Sequence, residues 1–298
     1  MNLEIEVAAD VLDMRRDDGR RFVERAWKWH RFNPSWMPGH FSAALRMAAL
    51  TRFHRQVLVE LDTGQQFLAY PDDMIQCTIC VNREWEGLIH QSVRSLIPAG
   101  GTVLDVGAHV GYSSTLFADW VGEDGRVHAF EPLPWHREQI AENARVNGFE
   151  ERVQMHPFAI SDRAGKASFF YSNSLNTGMG SLYTKRRSSR QIDVETCRLD
   201  DWRHANGVEK ADLVKIDVEG AELDVLAGME EGNGDGAYPV LLIEVHGDAL
   251  TEMGRSVDEL VETIESQNYA LFAWSAEHRF EPYSPELPRD YFLAKARS

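Results

Sequence analysis

VLDVGAHVG, Val103 to Gly111, is the stretch whose reading decides the fold. Val103, Leu104 and Val106 form a short apolar run around Asp105, as a buried strand would. Gly107 then allows a tight turn in which backbone comes close to a ligand, and Gly111 opens a helix that must pack closely. Strand, glycine turn and helix in this order make the first unit of an α/β sheet.

Downstream the rhythm continues. Apolar runs at Val103–Val106, Arg126–Phe130, Val153–Met155, Leu213–Ile216, Val240–Val245 and Tyr269–Trp274 predict strands. Amphipathic segments at Tyr112–Trp120, Trp135–Asn147, Ala221–Met229 and Val257–Ser266 predict helices between them. Strands alternating with helices predict βαβ units and a mostly parallel sheet. Residues Lys166 to Thr196 break the rhythm as two antiparallel strands around a polar loop, SNSLNTGMGSLYTKRRSSR, a candidate substrate loop.

Upstream, two short helices around a turn are expected between Arg20 and Thr51, where Pro34 and Pro38 interrupt an aromatic-rich stretch. Two or three short strands are expected from Gln56 to Val81, followed by a helix from about Glu84 to Leu96. The boundary is placed after residue 85. Residues 1–85 are read as a helical/β accessory region, a cap or homodimer contact, and residues 86–298 as the catalytic domain.

With 298 residues the chain can build one large α/β domain and an accessory region. Its 31 Lys and Arg against 47 Asp and Glu give a formal charge of −16, which repels a phosphate backbone. The basic run Lys185-Arg186-Arg187 is too short to reverse that, so no nucleic-acid partner is expected. No membrane span and no signal peptide are expected, since no apolar run approaches ~20 residues and MNLEIEVAAD lacks a basic and an apolar segment. Cys77, Cys80 and Cys197 are too few for a disulfide framework, which fits a cytoplasmic setting, and Cys77-x-x-Cys80 reads as a pair of buried thiols.

The glycine turn separates two cofactor classes. A dinucleotide needs G-x-G-x-x-G to seat a pyrophosphate at a helix N-terminus, but the second and third glycines would fall at His109 and Tyr112. S-adenosylmethionine (SAM) carries no phosphate; its ammonium and ribose suit acids. Asp105 ends the first strand, and Glu131, in HAFEP, ends the next, where a carboxylate can accept both ribose hydroxyls. Ser161 and Asp162 follow the third strand, either beside an adenine or as a turn cap. The cofactor wall is thus read as Asp105, Gly107, Ala108, His109, Gly111, Glu131, Pro132, Ser161 and Asp162.

KIDVEGAE, Lys215 to Glu222, places Lys215 and Asp217 on one face at the carboxyl end of a central strand. PVLLIEVHGD does the same with Glu244 and His246. Buried charges are paired or used, and open α/β sheets bind ligands at these strand ends; the alternative is a set of structural ion pairs.

These segments, VLDVGAHVGYSS, HAFEP, AISD, Leu199-Asp200-Asp201 and above all KIDVEGAE followed by IEVH, resemble the FkbM family of SAM-dependent methyltransferases, over roughly Glu86 to Lys295. Asn176, Gly178, Ser181 and Leu182 resemble that family's Ser/Gly-rich loop. The chain departs from it at His109, where Asn is common. The resemblance implies a Rossmann-like class I methyltransferase fold with a mostly parallel seven-stranded sheet, and methyl transfer to a hydroxyl of a sugar, glycolipid or natural product.

On this reading His246 is the first candidate for the general base and Glu244 orients it. Asp217 meets the cofactor or acceptor, and Lys215 keeps the carboxylates ionised. A variant has Asp217, Glu244 and His246 hold Mg²⁺ to acidify the hydroxyl. The rivals are an NAD-linked oxidoreductase and a non-catalytic SAM-fold binding protein.

Overall fold

The computed structural model describes residues 11–13, 56–71, 73–172, 180–183 and 189–297. The helices expected between Arg20 and Thr51 lie outside these residues, as do most of the polar loop, including Asn176 and Gly178, and the Lys185–Arg187 run.

The chain opens with β1 (Val11–Asp13), β2 (Gln56–Glu60) and β3 (Gln66–Ala69), a three-stranded sheet in the order β1-β2-β3. Two helices follow, α1 (Met74–Asn82) and α2 (Gly87–Val93), and a 3-10 turn, Arg94–Leu96. The α1 helix corrects the sequence reading, which ran strands to Val81. Asp73 caps it by accepting from the Gln76 N–H, and Arg83 closes it in the left-handed conformation. Five of its nine residues are buried, Cys77 and Cys80 among them, so tertiary packing overrides the β-branched bias of Ile75, Thr78, Ile79 and Val81.

The α/β portion then runs β4 (Thr102–Val106), α3 (Tyr112–Val121), β5 (Arg126–Phe130), α4 (Pro134–Asn147), β6 (Val153–His156), β7 (Phe158–Ile160), β8 (Gly165–Ser172), β9 (Ser189–Cys197), α5 (Leu199–Asn206), β10 (Leu213–Ile216), α6 (Glu222–Ala227), α7 (Glu230–Asp235), β11 (Val240–Glu244), α8 (Gly247–Glu252), α9 (Val257–Ser266), β12 (Tyr269–Trp274), β13 (Phe280–Pro282) and β14 (Tyr291–Ala296). The main sheet has the order β13-β12-β14-β11-β10-β4-β5-β6. Its central strands are parallel, and β14 enters antiparallel between β11 and β12. The expected seven strands are present, and β13 adds a short eighth at the edge. The helix expected over Ala221–Met229 is split into α6 and α7. The antiparallel pair expected in the insertion is β8–β9, which β7 joins as a separate three-stranded sheet.

Alternate strand residues feed opposite faces, as the pleat requires. Val103, Val127, Ala129 and Leu242 pack toward α3, α4 and the β2–β3 hairpin, while Leu104, Val106, Phe130 and Ile243 pack toward α5, α6 and α9. All but one residue of α3 is buried, because the sheet covers one side and the hairpin the other. The order reverses between β4, which leads to β5 and β6, and β10, which leads to β11. Ligand crevices form at such a switch.

Beside β5 and β6, buried and half-buried polar groups form a chain. The Trp202 indole, a donor only, gives its N–H to His156 Nδ1 at 3.3 Å. His156 Nε2 must then carry the proton and donate to His128 Nδ1 at 3.1 Å. Burial pushes both imidazoles down to about 4, with His156 also lowering His128. The unfolded chain therefore binds more protons than the folded one between about pH 4 and 6.5, and stability falls as pH drops through that window. Thermal melts should be flat above pH 7 and lose several degrees by pH 5. A melting temperature that holds from pH 7 to pH 5 would remove this account.

Candidate functional site

A cavity opens at the carboxyl ends of β4, β5, β10 and β11. The glycine turn forms one wall. Gly107 N–H and Ala108 N–H both donate to the Phe130 carbonyl, at 3.0 Å each, which ties the turn to the end of β5. Gly107, Ala108 and His109 line the cavity. His109 holds φ 49°, a left-handed conformation that His tolerates better than most side chains. In that pose its N–H donates to Glu131 Oε2 at 3.0 Å. Leu133 N–H donates to Oε1 at 2.8 Å. Glu131, 5% exposed, is thereby fixed in the wall beside Pro132. A carboxylate has about four acceptor positions, so two hydroxyls can still be accepted there.

Other expected wall residues sit elsewhere. Asp105 lies one layer below, fully buried, where it accepts from Ser114 Oγ at 2.5 Å and faces Lys215 Nζ at 3.8 Å. Burial pushes its carboxyl up despite Lys215. Gly111 packs against Ile140 of α4 rather than lining the cavity. Phe158, Ala159 and Ile160 reach the cavity, but Ser161 and the Arg163-paired Asp162 come just after it.

The opposite wall carries the charge. Lys215 Nζ donates to Asp217 Oδ2 at 2.8 Å. Burial alone would neutralise the amine, but Asp217 and then Asp105 outweigh it and hold the charge. Asp217 and Glu244 line the cavity, and His246 stands behind them with Nε2 at 3.8 Å and 3.6 Å from their oxygens. His246 Nδ1 donates to Glu222 Oε1 at 2.8 Å. Against burial, Glu222, Asp217 and Glu219 push this imidazole up to about 10. Those acids favour the protonated imidazole over the neutral one expected from the sequence. Burial, then Asp217 and Glu86, push Glu244 up to about 9.

Several groups of the site escape the sequence reading. Trp85 and Glu86, brought by the turn before α2, close one side. Ser113 also lines the cavity and is held by His90 Nε2 at 2.8 Å. Glu219 and Glu222 lie inside KIDVEGAE, so each acid of that motif was a signal, but Glu222 meets His246 across 24 residues. The described part of the insertion sits on the same motif and the helix after it: Ser181 Oγ donates to the Glu219 carbonyl at 2.8 Å, and Tyr183 OH bonds Asp224 of α6.

The profile of the Methyltransferase FkbM domain matches residues 105–271, which holds the glycine turn, Glu131 and the whole charged wall. The chain belongs to the FkbM methyltransferase family. Its sheet is accordingly the Rossmann-like class I methyltransferase sheet. A relative, 2-O-methyltransferase NoeI of Sinorhizobium fredii, is 34% identical over 158 residues, 48% of this chain and 63% of that protein. The 31-O-demethyl-FK506 methyltransferase FkbM of Streptomyces tacrolimicus is 27% identical over 202 residues, 58% of this chain and 74% of that protein. The chain thus spans less than two thirds of NoeI's length. A solved methyltransferase FkbM from Methylobacillus flagellatus KT overlaps with TM-score 0.44 at 17% identity, covering 73% of this chain and 52% of that one.

Proposed function

We propose that the protein is a SAM-dependent O-methyltransferase acting on a hydroxyl of a sugar, glycolipid or natural-product acceptor. The observation that carries this reading is the pairing, in one cavity, of a fixed Glu131 carboxylate beside the Gly107 turn with the Lys215, Asp217 and Glu244 wall opposite. Family membership supports it, as do the printed activities of NoeI and FkbM.

SAM fits the residues present. The glycine turn lets backbone border the ligand, and Glu131 can take a ribose diol. Bound SAM supplies an electrophilic methyl on a sulfonium. That methyl would go to the acceptor oxygen, and this chain's own part would be to align the hydroxyl and take its proton on a carboxylate. Asp217, ionised because Lys215 and then His246 outweigh its burial, holds the acceptor hydroxyl. Glu244 is the group placed to take the proton once its carboxyl is ionised, with the His246 cation behind it. Mg²⁺ on Asp217, Glu244 and His246 is the second reading, favoured by their ligand atoms lying within 4.8 Å of one another.

The accessory role of residues 1–85, as cap or homodimer contact, belongs to the same proposal, as does a cytoplasmic setting. Among the described residues no helix is long and apolar enough to cross a membrane.

Glu131→Ala should weaken SAM binding about 10- to 100-fold, the worth of hydrogen bonds to a charged acceptor, ~1.5–3 kcal/mol. Calorimetry with SAM and with NAD, followed by a methyl-transfer screen over sugar and natural-product alcohols, separates the readings. NAD binding without SAM would establish the oxidoreductase rival. SAM binding without turnover on any acceptor would favour a binding protein, and a folded Glu131→Ala with unchanged SAM affinity would refute the assigned wall.

A further inference from the structure

The cavity carries more acid than its cations answer. Among the described residues Glu86, Glu131, Asp217, Glu219 and Glu244 line it, and Lys215 is the sole Lys or Arg to do so. Lys215 is already committed: its Nζ donates to Asp217 Oδ2 at 2.8 Å and stands 3.8 Å from Asp105 Oδ1. His246, behind the wall, gives its Nδ1–H to Glu222 Oε1 at 2.8 Å, and Glu222, 0% exposed, still leaves Oε2 without a hydrogen-bond partner. Glu219 Oε1 stands 3.7 Å from the same imidazole, at Nε2. The Glu131 carboxylate is held by the N–H groups of His109 and Leu133, with His136 Nδ1 3.4 Å away and no Lys or Arg on it among the described residues.

We propose that this wall, through Asp217 and Glu219, distinguishes the cofactor from its spent form by charge, binding SAM more tightly than S-adenosylhomocysteine (SAH), so that the product leaves readily. The inference rests on the methyltransferase reading. SAM and SAH share an ammonium, a carboxylate, a ribose and an adenine. They differ by one methyl and one positive charge, both at sulfur. Transfer requires the methyl to face the hydroxyl that Asp217 holds, so on that reading the sulfur stands before the acids.

The charge balance of the wall survives protonation. Burial, then Asp217 and Glu86, already keep a proton on Glu244, up to about 9. Even with protons on Glu86 and Glu244, the wall acids Glu131, Asp217 and Glu219, with Asp105 and Glu222 behind, outnumber Lys215 and His246. A cleft lined by one sign of charge, with low-dielectric walls, focuses its field on whatever enters. In a partly buried site one unbalanced charge about 10 Å from a ligand cation is worth about 10-fold in affinity. The acids keep that attraction for a sulfonium and lose it when the sulfur becomes neutral.

The test is calorimetry on the full chain at neutral pH with three probes: SAM, SAH and sinefungin, which carries an amine where SAM carries its methyl and so restores a cation without a sulfonium. SAM and sinefungin should each bind at least about 10-fold tighter than SAH. Glu219→Gln keeps the shape of a partly buried side chain and should lower the SAM preference about 3- to 10-fold, leaving SAH affinity nearly unchanged. Asp217→Asn should lower it at least as far; Glu219→Gln guards against a folding failure there, where Lys215 would lose its closest partner. A wall that acted only as structure would weaken both ligands alike and keep their ratio. SAH binding as tightly as SAM, sinefungin behaving like SAH, or an unchanged ratio in folded Glu219→Gln would each overturn the proposal. Equal affinities for SAM and SAH remove the charge discrimination alone; no binding of any of the three removes the methyltransferase reading with it.

Discussion

Gly107→Ala should leave the protein destabilised by about 2–5 kcal/mol and unable to bind SAM at micromolar concentration. Gly107 has φ +83°, and a Cβ there would fall 1.8 Å from the Asp217 carbonyl oxygen and 2.8 Å from its carbonyl carbon. Those atoms are backbone and cannot rotate away, because Asp217 N–H is bonded to the Val106 carbonyl at 3.0 Å. The turn after β4 must therefore separate from the end of β10, and the cavity floor lies between them. Gly111 offers the contrast. Its φ is similar, +82°, but a Cβ there would meet Ile140 Cγ1 at 2.9 Å and Ile140 Cα and Cβ at 3.3 Å each, a milder overlap that a small shift of α4 relieves. Gly111→Ala should thus cost less stability and retain SAM binding. Urea unfolding and calorimetry on both variants check the order; a Gly107→Ala protein that unfolds and binds like wild type would show that the two turns are not in contact.

Lys215→Met should lower stability by about 3–5 kcal/mol, the usual effect of removing one member of a buried ion pair. The methionine keeps the packed stem. It leaves Asp105, fully buried with one unpartnered oxygen, and Asp217 facing each other without the cation between them. Turnover should fall with stability, since Asp217 then loses the main group that keeps it ionised. Adding Asp105→Asn should recover part of the loss, because the amide is neutral and can still accept from Ser114. An unfolding free energy from urea titration within about 1 kcal/mol of wild type for Lys215→Met would mean that the carboxylates are neutral in the folded protein.

The sheet was legible because its signal is periodic. Arg126–Phe130, Leu213–Ile216 and Tyr269–Trp274 are short apolar runs between amphipathic segments, and no other element type suits them. The helix at Met74–Asn82 was not, because Ile, Thr, Cys and Val favour strands on an exposed scale and only burial on several sides makes a helix of them. Asp73, its cap, was the signal to weigh. Motif acids announced the charged wall, since Lys215, Asp217, Glu244 and His246 lie at strand ends where chemistry collects. Their protonation was not legible. His246 reads as a neutral base until Glu222, Asp217 and Glu219 are seen around it, and these are gathered by folding rather than by spacing. Trp85 and Glu86 stayed hidden for the same reason.

One contact between the first sheet and α4 bears on how a strand edge is kept from pairing with another chain. Gln139, Asn143 and Asn147, one turn apart along α4, face the open side of β3. Asn143 Oδ1 accepts from Leu68 N–H at 2.7 Å and Asn147 Oδ1 from Gln66 N–H at 2.8 Å. Gln139 and Asn147 return N–H donors to the Leu68 and Gln66 carbonyls, at 3.0 Å and 2.6 Å. Three side-chain amides thus do for β3 what a neighbouring strand would do. Unpaired strand edges template edge-to-edge aggregation, and here a helix fills the template. A chain shortened to begin at residue 86 would reverse that protection: it would bare the buried amides of α4 and the apolar face of α3 together, and an excised β2–β3 hairpin would present a sticky rim to any extended peptide.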